Sequence, residues 1–95
     1  MAGVNLPIVT IVVVPGSTTA GDNIDIPNGA PKISQLVSAI AILSGSASAL
    51  SVVSNASSSG QISKVSSTQF KLGDNTAAGD MVIITYIPEA SAPGF

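Results

Sequence analysis

The sequence predicts an all-β fold, a small β-sandwich or jelly-roll-like single domain with extended terminal arms. Three observations carry that prediction. Two runs dense in β-branched residues, Ile8–Val14 and Met81–Ile87, are each stopped by proline. Between them, short apolar segments recur at close spacing, separated by Gly, Asn, Asp and Ser, as in sandwiches and barrels. With 95 residues, the chain has room for one core and not for two.

Taken in order, Ile8–Val14 is a strand closed by the turn dipeptide Pro15-Gly16, and its density of β-branched residues places it in the sheet interior. Asp22–Ile26 alternates polar and apolar before Pro27-Asn28-Gly29, which gives a short, half-buried strand. Ile33–Leu43 admits two readings. Ile33, Leu36, Val37, Ile40 and Leu43 satisfy a helical spacing, whereas Ala39, Ile40, Ala41 and Ile42 fit a strand buried on both faces. The strand is preferred because Ser-rich, Gly-punctuated sequence follows, with candidate strands at Ala49–Ser54, Gln61–Val65 and Gln69–Leu72. Met81–Ile87 is the last strand, entered through Gly73-Asp74-Asn75 and Gly79-Asp80 and ended by Pro88. Residues 1–7 and 88–95 are left as arms. Ala20-Gly21-Asp22 is echoed by Ala78-Gly79-Asp80, each a turn signal that feeds a strand.

Composition limits what such a domain can do. Apolar residues make up 45% of the chain and aromatics 3%, so Val, Ile, Leu and Ala must fill the core, with Phe70 and Tyr86 as packing residues. Charged residues are 8%, against about 25% in ordinary soluble domains. The surface is therefore Ser, Thr, Asn, Gly and Ala, a covering suited to burial against neighbours. No Arg, no basic cluster and a formal net charge of -2 point away from nucleic acid. The apolar blocks fall short of the ~20 residues of a membrane helix. Met1–Pro7 lacks a basic n-region, so it does not read as a signal peptide, and synthesis in the cytoplasm is expected.

No constellation for chemistry stands out. There is no His and no Cys, so the many Ser residues have no imidazole to act as base; a Ser/Lys pair at Lys32 or Lys64 lacks any motif around it. The chain is expected not to be an enzyme and to need no cofactor or metal. Asp22, Asn23 and Asp25, with Asp74 and Asn75, offer oxygen ligands to a hard cation such as Ca²⁺, but turn capping is the stronger reading. Asn55-Ala56-Ser57 matches a glycosylation acceptor without a secretory context. Partner contacts are expected instead from the arms, at Met1, Val4, Leu6, Pro93 and Phe95, because chain ends not tied into a core are free to dock.

The early strand Ile8–Val14, the segment Lys32–Ala39, the Ser-Gly-Ala stretch to Ala49 and the closing Ala78–Pro88 resemble, in pattern and composition, the head-decoration or capsid cement proteins of tailed bacteriophages. The resemblance covers most of the chain. It implies a virion structural protein on the capsid surface, made in the host cytoplasm. Such a protein stabilises the head by noncovalent contacts with the major capsid protein, as a homotrimer or another symmetric cluster, with no nucleic acid or membrane partner. The alternative is a carbohydrate- or receptor-binding module of a phage tail fibre or surface adhesin, using the loops Ser17–Asn23 and Ser54–Gly60.

Overall fold

The computed structural model describes residues 8–89. The fold is all-β, with seven strands: β1 Val9–Val13, β2 Asn23–Asp25, β3 Ile33–Leu43, β4 Ser46–Val52, β5 Gln61–Ser66, β6 Gln69–Leu72 and β7 Met81–Pro88. They form one mixed sheet in the order β1-β7-β3-β4-β5-β6-β2. Every neighbouring pair is antiparallel except β4 and β5, which run parallel.

β4 is where the sheet turns. Its residues Ser46–Leu50 pair with β3, while Ser51 and Val52 pair with β5. One strand thus belongs to two ladders in succession, and the sheet curls so that both halves share one core. Val13, Ile33, Leu36, Ala39, Val82, Ile84 and Tyr86 come from the β1-β7-β3-β4 half; Ile24, Ile26, Ile62, Phe70 and Leu72 come from the β5-β6-β2 half and its flanks. Phe70 and Tyr86 are fully buried, as expected of a core with so few large side chains. The Tyr86 hydroxyl donates to the Pro31 carbonyl at 2.6 Å, so the phenol's polar tip is satisfied inside an apolar setting.

Ile33–Leu43 is a strand, and its helix-like spacing has a physical cause. Opposite β7, Ile33 pairs with Pro88, Leu36 with Tyr86 and Ala39 with Ile84, so β3 advances three residues for every two of its partner. Register shifts after Ile33 and after Leu36 each insert one extra residue, the signature of a β-bulge. Two bulges in a row convert the two-residue period of a strand into the three-residue step that a helix also shows. The strand is buried on one face rather than both, since Ile40 and Val37 remain 43% and 46% exposed.

Other boundaries differ from the sequence reading for local reasons. β4 begins at Ser46 rather than Ala49, because Ser44 and Gly45 both take positive φ, 51° and 80°, and close a two-residue hairpin directly after Leu43. That geometry matches the right-handed twist of the strands on either side. β7 extends through Pro88, and the Glu89 N–H donates to the Lys32 carbonyl at 2.8 Å, so these two residues belong to the sheet and not to an arm. β1 is an edge strand rather than an interior one, bonded only to β7 among the described residues.

The two Gly-Asp signals fold alike. In Thr19–Asp22 the Asp22 N–H donates to the Thr19 carbonyl, and the Thr19 N–H donates back to the Asp22 carboxylate. Ala77–Asp80 repeats both bonds, with Gly21 and Gly79 at φ 91° and 90°. The turns are joined by an antiparallel bridge in which Thr18 and Thr76 exchange backbone bonds at 3.2 and 2.9 Å.

Candidate interaction surface

Alternation along each strand sends one set of side chains to the core and the other outward. On the outer face of the β1-β7-β3-β4 half, the register aligns Val12, Ile83, Ile40 and Ala49 in one row across four strands. Met81, Ile42 and Ala47 form a second row, and Thr10, Thr85 and Ser38 a third. Val12 is 50% exposed, Ile40 43% and Met81 36%, with Ile8 and Val14 exposed at either end of β1. Thr10 and Thr85 share a hydroxyl hydrogen bond at 3.0 Å, which uses polar groups of the third row internally.

None of the four strands of this face supplies a charged side chain. β1, β3, β4 and β7 contain no Asp, Glu, Lys or Arg, whereas Asp25, Lys64 and Lys71 lie on β2, β5 and β6. Val12, Ile40 and Met81 thus lie exposed on a face whose four strands carry no charge, which makes it the candidate interaction surface of the described residues. Both edges of this half share the property. β1 carries Val-Thr-Ile-Val-Val, and Ser46–Leu50 of β4 carries Ser-Ala-Ser-Ala-Leu, each with one side unpaired among the described residues. Neither edge carries the Lys, Pro or bulge with which sheet proteins usually block edge pairing.

Four of the five residues singled out for cation binding, Asp22, Asp25, Asp74 and Asn75, are engaged in hydrogen bonds within the fold. Asp22 closes its own turn, Asp25 accepts from Gln69 Nε2 at 2.8 Å, and Asn75 Oδ1 accepts from the Ala20 N–H at 2.8 Å. Asp74 accepts from the Ser59 hydroxyl and from the Gly60 N–H. Among the described residues no three His, Cys, Asp or Glu side chains come together as a ligand set.

The loop Ser54–Gly60 faces solvent along most of its length but its backbone is fastened to the fold. The N–H groups of Ser57 and Ser58 both donate to Gln61 Oε1 at 3.0 Å, and the Ala56 N–H donates to the Ser63 hydroxyl. Gly73 packs against the loop so closely that an added Cβ would lie 1.8 Å from the Ser58 carbonyl oxygen. The loop Ser17–Asn23 is likewise held by its Asp22 turn and by Asn75. Lys64 reaches across to the Ser34 carbonyl. A shallow cleft of about 370 Å³ opens beside the Pro27–Gly29 turn, bordered by Asp25, Asn28, Lys32 and Thr68.

Two groups titrate away from their ordinary values. The N–H groups of Ser44 and Ala77 both point at the Asp80 carboxylate and hold its pKa below the usual range. Burial pushes the Tyr86 phenol up. Both are structural: Asp80 ties the β3–β4 hairpin to the start of β7, and Tyr86 ties β7 to the segment before β3.

Sequence reasoning placed the contact residues in the arms. Met1, Val4, Leu6, Pro93 and Phe95 lie outside the described residues. The outer face of the first half was missed. Its signal was present in β1, where Ile8, Val12 and Val14 occupy the positions that a solvent-facing strand would give to polar side chains. No helix among the described residues is long and apolar enough to cross a membrane. Comparison with family models, curated proteins and solved structures finds no match to this chain.

Proposed function

We propose that this protein is a non-enzymatic assembly subunit that works by being covered: a capsid decoration or cement protein that lays its uncharged sheet face on the major capsid protein of a phage head. The observation that carries this reading is the outer row Val12, Ile83, Ile40 and Ala49, apolar across four strands that bear no charge. Burying such a face yields roughly 25 cal/mol per Å² of apolar area and requires little desolvation of polar groups. The resemblance to head-decoration proteins supplies the partner class.

A second reading, a carbohydrate- or receptor-binding module, rests on the cleft of mixed polar and apolar lining beside Pro27–Gly29. The two loops expected to serve it are already bonded within the fold. The test is co-sedimentation of the purified chain with a panel of empty tailed-phage heads, run beside a glycan array. Saturable binding to one shell, lost in Val12→Lys with Ile40→Lys while the circular dichroism spectrum is kept, supports the cement role. No binding to any shell together with a glycan signal lost in Asn28→Ala overturns it in favour of the second reading.

A further inference from the structure

The free edges of the uncharged half point to how copies of this chain would join. We infer that the protein pairs with itself head to tail, edge β1 of one copy against edge β4 of the next, in a continuous antiparallel sheet. The inference rests on the assembly reading and names the partner for its edges.

Strand direction supplies the first argument. β1, β7, β3 and β4 alternate in direction across the half, each neighbouring pair being antiparallel. β1 and β4 therefore run oppositely, and a second copy set beside the first in the same orientation brings its β1 antiparallel to β4. The alternation continues across the junction without a break.

Length and bulk supply the second. β1 is 5 residues long, and the stretch of β4 left unpaired on its far side, Ser46–Leu50, matches it. β1 presents Val, Thr and Ile; Ser46–Leu50 of β4 presents Ser and Ala at four of its five positions, with Leu50 at the end, so large side chains mostly meet small ones. The ladder stops at Leu50 because Ser51 and Val52 are already committed to β5.

Satisfaction of both edges supplies the third. A two-fold pairing of β1 with β1 would leave the β4 edge of each copy open. Only the head-to-tail contact uses both with a single kind of interface, and such a contact closes into a ring where the rotation per step allows it. All outer faces then lie on the same face of the continuous sheet.

The experiment uses exposed positions on the outer face of each edge, Thr10 and Val12 on β1 and Ala47 and Ala49 on β4. One full-length variant carries Lys at all four. The other carries Lys at Thr10 and Val12 and Glu at Ala47 and Ala49. Size-exclusion chromatography with light scattering reads the mass over a hundredfold range of loading, and circular dichroism checks the fold. Head-to-tail pairing sets unlike charges together in the Lys/Glu variant and like charges together in the all-Lys variant. The first should keep the wild-type oligomer and the second should run as monomer. Loss of the oligomer in both variants overturns the pairing in favour of a two-fold contact. Retention in both shows that these edges are not the interface, and a wild-type chain that is monomeric at every loading overturns self-pairing outright. Wild-type shell binding is measured separately: a monomer that decorates heads defeats this inference alone, and an edge-paired oligomer that ignores every shell defeats the cement role alone.

Discussion

The two halves of this sheet solve opposite problems. The β5-β6-β2 half is short-stranded and charged, and its connecting loop is sewn down by Gln61, Ser63 and Asp74. The β1-β7-β3-β4 half is longer-stranded, uncharged and open on one face and at both edges. The first carries charge on each of its strands and has its connecting loop bonded down. The second is finished only toward the core. The contrast teaches that the bonded loops and the charges lie in one half of the sheet and the uncharged, exposed face in the other. Changes in the core seam and loop should therefore alter folding, and changes on the open half should alter association.

The sharpest way to break that comparison is at the seam. Phe70→Ala should cost about 3–5 kcal/mol in urea unfolding, because Phe70 is fully buried and β6 is too short to collapse around the void. An effect below about 1 kcal/mol would show that the charged half contributes little to the core. Gly73→Ala comes next. Its Cβ would overlap the Ser58 carbonyl, so the loop must move and release its bonds to Gln61 and Asp74; a cost of about 2–3 kcal/mol is expected, read by denaturant midpoint.

Tyr86→Phe isolates one hydrogen bond at the junction of β7 with the Pro31 segment. It should cost about 1–2 kcal/mol, since the Pro31 carbonyl loses its donor. The phenol's raised pKa sets the sign of the alkaline response. Stability from this group is complete below the ordinary phenol pKa and is lost as pH rises through the higher folded value. The variant should flatten the alkaline limb of the stability profile.

Asp80 gives the converse. Its depressed pKa contributes stability that is present above the ordinary carboxylate pKa and disappears as pH falls through the folded value. Asp80→Asn should lower the melting temperature at neutral pH, and the gap from wild type should close in acid. The smallest effect on folding is expected on the open face, where Val12→Lys should change stability by no more than about 0.5 kcal/mol. The same substitution, combined with Ile40→Lys, should abolish association with a shell. A large folding defect from Val12→Lys alone would mean that the face is part of the core after all.

Much of the fold was legible because local chemistry and tertiary placement agree. Pro-Gly after Val14, the alternation around Ile24 and the β-branched run before Pro88 each mark a strand that exists. Ile33–Leu43 was ambiguous because its bulges shift the period, and a bulge depends on the partner strand, which sequence does not display. The edge position of β1 was illegible for a related reason. An uncharged run of β-branched residues says that both faces avoid charge, but not whether a neighbouring strand covers the second face. The candidate surface was hidden by the same ambiguity, since Ile40 and Ile83 become neighbours only once β3 and β7 are paired.

The pairing of Val9 with Tyr86 has a practical meaning for engineering. The first and last described strands are antiparallel neighbours, so Ile8 and Glu89 lead away from the same end of the sheet. A domain with that geometry can be grafted into a loop of a host protein through two short linkers without spreading its ladder. A split at the Ser44-Gly45 hairpin, with Ile8 and Glu89 joined by a short linker, offers a circular permutant.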